Sequence, residues 1–382
     1  MEKDVTDEKR TAWRWIVVCV RMRILFYLVA GLVAVDLLVH SQRNIWRAYD
    51  PDEYRDKIQA CRSQARDLVV LGGSPVCEGI NPAFLTGLPW RGGVLERVYN
   101  LGLPGATMSE TWHAVEHGLA APPRLLVYGI TASDLNDARD EPHGPRVLMG
   151  VRDVTCWVRV RPHSAEWCVR QYVYGRLTAV WQLYAYRNAI RLWAADQVER
   201  VWPGFCPQAL AEAHDGLRMS TALRDDHGFS PRPHLRDSRF DHLKAAGTPF
   251  ERFHFLDNYR LGGHLAYLHR LIDWSQSRGV ALILVDMPVS ADLECRLHPE
   301  AFARYRSALS DLERTRNVAI LRASRDAVRL GDADFADLIH LNKQGAVHLS
   351  AWLRNELSAL GRQTSQETRA TLPSRDLPNA QE

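Results

Sequence analysis

Five short runs of mostly apolar residues are spread along the chain, at 67–71, 97–101, 125–128, 281–285 and 318–321. Each is too short for a globular helix and rich in Val, Ile and Leu, the pattern of strands buried on both faces. Between them, apolar positions return at three- and four-residue spacing over 108–119, 257–278, 299–316 and 344–360, which predicts helices with one face turned inward. Strands of this kind alternating with helices predict an α/β fold, a parallel sheet covered by helices. Ligands of such sheets bind beyond the carboxyl ends of the strands.

The N-terminus follows a different pattern. Residues 24–39 (ILFYLVAGLVAVDLLV) are apolar apart from Asp36, and they are preceded by the apolar stretch 16–20 and by Arg21 and Arg23. The run alone falls short of the ~20 residues a spanning helix needs, but arginines can snorkel and extend the span toward residue 17. The preferred reading is one transmembrane helix over 16–40. A buried core helix and a cleaved signal peptide are the alternatives, although no small-residue cleavage site stands out. Lys9, Arg10, Arg14, Arg21 and Arg23 all precede the run, so the positive-inside rule puts residues 1–15 in the cytoplasm and the main domain outside it.

Residues 41–65 read as a polar, helical connector and 66–361 as the α/β domain. That domain is interrupted by a mostly helical and loop insertion at 138–256, where Trp157, Trp167, Tyr172, Trp181, Tyr184 and Trp193 stand among many arginines. Residues 169–202 have the pattern of a long amphipathic helix, whereas 203–249, rich in Gly, Pro, His and Asp, read as loop. Aromatic, arginine-rich surfaces suit sugar stacking or a membrane interface, and the plainer reading is packing against the main domain. Residues 362–382 are expected to be disordered.

The composition admits a folded core, with 46% hydrophobic and 24% charged residues in 382. A formal charge of +3, spread without a basic stripe, argues against a nucleic-acid partner. Cys19, Cys61, Cys77, Cys156, Cys168, Cys206 and Cys295 lack metal-like paired spacing and fix no disulfide pattern. His227, His234, His242 and His254 are too loosely spaced to predict a metal site.

Chemistry enters at two short segments. Leu68-Val-Val-Leu-Gly-Gly-Ser74 runs a buried strand into two glycines and then a hydroxyl, and Asp337-Leu-Ile-His340 spaces a carboxylate and an imidazole by about one helical turn. A serine, a histidine and an acid are the parts of an activated acyl-transfer nucleophile. Ser74 would attack an ester carbonyl, His340 would carry the proton, and Asp337 would hold the imidazole in the useful tautomer. The plainer readings are a helix N-cap for Ser74, with Pro75 at the first helical position, and a surface helix start for Asp337 and His340. Cys77 has no histidine partner in the motif and reads as buried. Asp286, in the turn after the fourth strand, either lines the pocket or ends the strand.

Gly72-Gly73-Ser74, Asn100-Leu-Gly-Leu-Pro-Gly105-Ala-Thr107, Tyr128-Gly129 and Asp337-Leu-Ile-His340-Leu-Asn-Lys-Gln-Gly-Ala resemble, in order, the sequence blocks of the SGNH (GDSL-like) hydrolase superfamily. The likeness covers about 66–137 and 257–357. It implies a flavodoxin-like sheet sandwiched by helices, no cofactor or metal, and an oxyanion hole built from the Ser74 amide, the Gly105 amide and an Asn side chain. Pro75 has no N–H, so the residue after the nucleophile cannot serve as donor, and G-x-S-x-G is absent. Where the family has Gly-x-Asn-Asp, this chain has Gly129-Ile-Thr131, so either Thr131 or Asn136 replaces the Asn, or the enzyme is slow, or its acceptor is not water. Losing one such donor costs on the order of 100-fold in rate.

In organisation the chain is most similar to membrane-anchored members of the superfamily, such as the alginate acetylation and teichoic-acid D-alanylation proteins. The expectation is therefore a single-pass membrane protein whose extracytoplasmic domain hydrolyses or transfers an O-acyl group, acetyl by this resemblance, on an envelope glycan. A membrane acyl-donor protein is a further implied partner. A catalytically silent scaffold that binds glycan through the insertion is the alternative. The intact Ser74, Asp337 and His340 count against the scaffold and the altered third block counts for it.

Overall fold

The computed structural model describes residues 2–42, 45–46, 53–138, 169–170, 172–173, 176–177, 180–202, 204, 228–230 and 254–370. Along the chain run α1 (Glu2–Ser41), α2 (Glu53–Ser63), β1 (Leu68–Gly72), α3 (Ser74–Gly79), α4 (Pro82–Leu85), β2 (Leu88–Trp90), β3 (Gly93–Leu95), β4 (Val98–Gly102), α5 (Met108–Gly118) and β5 (Leu125–Ile130). There follow α6 (Gln182–Ala185), α7 (Arg187–Val201), α8 (Gly263–Ser277), β6 (Ala281–Asp286), α9 (Pro299–Arg316), β7 (Ala319–Arg322), α10 (Arg325–Val328) and α11 (Lys343–Ala370). They fall into two compact units, 1–51 with 173–218 and 52–172 with 219–382.

The second unit is built on a parallel sheet in the order β4-β1-β5-β6-β7. Counting only these strands along the chain, the order is 2-1-3-4-5, the flavodoxin-like arrangement, with its switch point between β1 and β5. Successive side chains leave a strand on opposite faces, and both faces are covered. Val69, Leu71, Leu126 and Tyr128 join the core under α5, α8 and α9, while Leu68, Val70, Leu125 and Val127 join the core under α3 and α11. Double-sided burial explains why these strands read as unbroken apolar runs.

The five strands and four helices expected from periodicity are present. Helix α8 begins six residues later than the pattern predicts, at Gly263 rather than 257, with a short 3-10 turn at His254–Leu256 before it. The β2–β3 hairpin pairs antiparallel outside the main sheet and has no counterpart in the sequence reading; Pro89 in one of its strands obscures the signal. Helix α11 runs on to Ala370, which corrects the disorder expected from residue 362; residues 371–382 lie outside those described.

The insertion leaves and rejoins the sheet at one pinned point. Asn136 donates from Nδ2 to the carbonyls of Phe255 and Asp257, and its Oδ1 accepts the amides of Ala138 and Arg260. Asp137 accepts the amides of Gly263 and His264, placing a carboxylate at the start of α8 where the helix dipole favours it. With the two ends tied together, the chain between them can diverge without displacing β5 or α8.

The first unit holds the apolar helix. Its segment Val18–Ser41 is long and apolar enough to cross a membrane, and also fits a signal sequence. Val39, Trp46, Tyr186 and Ala189 form a small core. Asp36, the one charge in the apolar run, accepts the Leu183 amide at 2.6 Å. The long helix expected over 169–202 is interrupted, with Trp181 non-helical and Tyr186 in a turn that separates α6 from α7. Residues 203, 205–227 and 231–249 of the expected loop, and Met1 of the expected tail 1–15, lie outside the described residues.

Candidate active site at the ends of β1 and β5

Ser74 reaches its place because the sheet is shaved flat beneath it. Gly102, Gly72 and Gly129 lie in register at the carboxyl ends of β4, β1 and β5. A Cβ on Gly72 or Gly129 would overlap the Val76 side chain, and one on Gly102 would lie 2.5 Å from the Cys77 nitrogen. Gly72 also has φ +148°, a value L-residues rarely adopt. The row lets α3 settle directly onto three strand ends. Gly73 is the N-cap and Ser74 the first helical residue, one position later than the cap role weighed from sequence. Its N–H is therefore among those a helix leaves without an intrahelical acceptor.

Other contacts fix α3. Asn100, wholly buried in β4, donates to the Val76 and Ile80 carbonyls at 2.9 and 2.7 Å and accepts the Gly102 amide at 2.7 Å. It thus ties the carbonyl end of α3 to the sheet. Lys57 of α2, also fully buried, donates to Gly102 O at 2.6 Å and contacts Cys77 Sγ at 3.0 Å. Cys77 is buried, as expected. Ser350 of α11 accepts the Asn81 amide from the opposite side. Sequence reading assigned no role to Asn100 or Lys57. A signal was present for Asn100, because a polar residue within Val98-Tyr-Asn-Leu-Gly102 must find buried partners.

Asp337 and His340 arrive in a loop, not in the helical turn their spacing first implied. An isolated antiparallel bridge, Phe335 with Leu341, closes the loop at its base. Asp337 Oδ1 accepts the amides of Ile339 and His340 at 2.9 and 2.8 Å, so the carboxylate organises the turn that carries the imidazole. Asn342 Oδ1 then accepts the amides of Gln344 and Gly345 and starts α11.

The three residues meet. His340 Nε2 lies 2.8 Å from Ser74 Oγ, and His340 Nδ1 lies 2.7 Å from Asp337 Oδ2. The imidazole is buried and Ser74 is half-buried, an arrangement that keeps the ring in one orientation while leaving the hydroxyl approachable. In the neutral tautomer that donates Nδ1–H to Asp337, Nε2 faces the hydroxyl as an acceptor.

The remaining candidates separate. Gly105, φ +75°, lies in the turn that brings Ala106 O to 3.4 Å from the Cβ position of Gly73. Thr131 follows β5 at the same edge; its amide donates to Asp134 Oδ2 at 2.8 Å and its hydroxyl lies 2.9 Å from Ser133 Oγ. Only that hydroxyl remains to act on a ligand. Asn136 is removed from consideration, because both hydrogens of its amide are directed to the carbonyls of Phe255 and Asp257. Asp286 ends β6 and accepts the Tyr305 hydroxyl at 2.7 Å; burial pushes its carboxyl above the usual range, against the opposing effect of that hydrogen bond.

Cys61 and Cys77 are buried and form no disulfide, and burial raises Cys61 to about 12, far from a reactive thiolate. The side chains of Cys156, Cys168, Cys206, Cys295, His227, His234, His242 and His254 lie outside the description. No protein-family model matches the chain, and no curated protein shows significant sequence similarity to it.

Proposed function

We propose that the protein is an SGNH-type serine O-acyl esterase or acyltransferase, held at a membrane by α1. The observation that carries this reading is the chain of contacts from Asp337 through His340 to Ser74, with both links at hydrogen-bond length. In the proposed reaction Ser74 Oγ attacks the ester carbonyl as its proton passes to His340 Nε2. Asp337 stabilises the resulting imidazolium. Nε2 then gives the proton to the leaving alcohol, and the acyl-enzyme is resolved by water or by a second hydroxyl that Nε2 deprotonates. The Ser74 amide, the Gly105 amide and the Thr131 hydroxyl are the proposed oxyanion donors. Location at the switch point, where β1 and β5 present their carboxyl ends, supports the same reading.

The narrower assignment, an acetyl group on an extracytoplasmic envelope glycan, rests on the likeness in organisation to membrane-anchored superfamily members. The aligned Ser74 and His340 weigh against a silent scaffold. A fluorophosphonate probe should label the full chain in detergent, and Ser74→Ala and His340→Ala should abolish labelling. Asp337→Asn should reduce it strongly, because the amide no longer selects the productive tautomer. Persistent labelling of the Ser74→Ala protein would place the nucleophile elsewhere.

A further inference from the structure

The charge in the apolar helix is matched by a backbone group from far along the chain. Asp36 lies five residues before the end of Val18–Ser41, about 7.5 Å along the axis at 1.5 Å per residue. Its Oδ1 accepts the Leu183 amide at 2.6 Å. A carboxylate at that depth is costly in lipid unless it is hydrogen-bonded, so its partner must lie at the same level. Helix α7 remains near that level, because Tyr186 and Ala189 pack with Val39 and Trp46, and Trp193 meets the Trp46 ring edge-on at 5.6 Å. Trp46 itself folds back to donate from Nε1 to Val39 O. Tyr186, Ala189 and Trp193, at and just after the turn that opens α7, thus pack on Val39 near the end of α1 and on Trp46 just beyond it.

The surface of 180–202 exposes apolar and basic side chains together, from Val180 before α6 to Val201 and Trp202 at the far end of α7. Val180, Val201 and Trp202 are 79%, 80% and 72% exposed, and Arg187 and Arg191 are exposed on α7. Aromatic rings and arginines beside the exit of an apolar helix are the composition of the bilayer boundary, where rings sit at headgroup depth and guanidinium groups meet phosphate.

We infer that residues 180–202 form an interfacial element seated in the headgroup region of a phospholipid bilayer, tethered to the exit of α1 by the Asp36–Leu183 hydrogen bond. This rests on the reading of α1 as a membrane span. Its occupant is lipid, and the aromatic residues of this part of the insertion serve lipid instead of sugar.

The test is labelling by a membrane-impermeant maleimide of the full chain reconstituted in phosphatidylcholine–phosphatidylglycerol vesicles, with each site read by peptide mapping. Leu28→Cys reports the span, Val94→Cys, on the hairpin strand β3, reports water on the side of the α/β unit, and Val180→Cys and Val201→Cys report the proposed element. The expected result is at least tenfold slower labelling at 28, 180 and 201 than at 94. Fast labelling at 180 and 201 with 28 protected would overturn the inference and leave the span standing, whereas fast labelling at 28 would remove the span itself. Asp36→Leu, which keeps the helix apolar and removes the acceptor, should release position 180 to labelling while 28 stays protected. Unchanged protection at 180 in that variant would overturn the tether.

Discussion

At the residue scale, the proposed chemistry depends on which polar groups are already spoken for. Asn136 and Thr131 looked equivalent in sequence as replacements for the missing Asn of the third block, and the hydrogen bonds separate them. The amide of Asn136 holds Phe255 and Asp257, so it positions the base of the insertion, while the Thr131 hydroxyl shares a hydrogen bond with Ser133 in which either oxygen can donate, which leaves its proton open to a ligand. Thr131→Val keeps the shape and deletes the donor. If that hydroxyl meets the oxyanion, kcat for an ester substrate should fall on the order of 100-fold with little change in thermal stability. A variant with wild-type kcat would show that two amide donors suffice. The same residue-by-residue accounting shows what was legible. Ser74, Asp337 and His340 were readable because each type is scarce in its context, a hydroxyl after two glycines and an acid three residues before a histidine. Lys57 was not, because nothing in a polar helix marks which of its basic residues turns inward.

At the element scale, the site is a consequence of three strands carrying glycine at one level, the last residue of β4 and of β1 and the last but one of β5. The sequence shows each glycine, but their common register follows from hydrogen bonding between strands that are distant in the chain, Gly72 with Gly102 on one side and Gly129 on the other. No local pattern encodes that alignment, and the loop carrying His340 is hidden for the same reason: a spacing of three residues fits a helical turn as well as a loop, and the Phe335–Leu341 bridge decides between them. Gly129→Ala tests the platform. Its methyl would overlap Val76 and lie 2.9 Å from Met287 Sδ, so α3 must lift or the strand end must shift. Overpacking of this kind costs about 1–3 kcal/mol. The expected outcome is a lower urea midpoint together with loss of fluorophosphonate labelling disproportionate to the loss of fold, since Ser74 rides on the displaced helix. Lost stability with undiminished labelling of the folded fraction would mean that the strain is absorbed away from Ser74.

At the scale of the whole molecule, the periodic patterns sufficed for the sheet and its covering helices because burial on both faces leaves an unambiguous signal. They did not suffice for the insertion, whose aromatic and arginine content fits several partners. The fold divides it, with 173–218 grouped beside the apolar helix and 138–172 and 219–256 grouped with the sheet unit. Ser230 in the latter part donates its amide to Cys77 O, at 3.2 Å, so a piece of the insertion lies against the nucleophile helix. Under the proposed function, a glycan bound along those parts would contribute remote binding energy and present a hydroxyl to the acyl-enzyme, and if a hydroxyl replaces the amide side chain in the oxyanion hole, such help matters more. The expected behaviour is slow hydrolysis of p-nitrophenyl acetate in water and faster release of p-nitrophenol when an envelope oligosaccharide is added, with acetyl recovered on the sugar by mass spectrometry. Because acyl transfer and hydrolysis share the Ser74 intermediate, Ser74→Ala should abolish both. Fast hydrolysis indifferent to oligosaccharide would make the protein a simple esterase, since water would then need no assistance in competing for the acyl group.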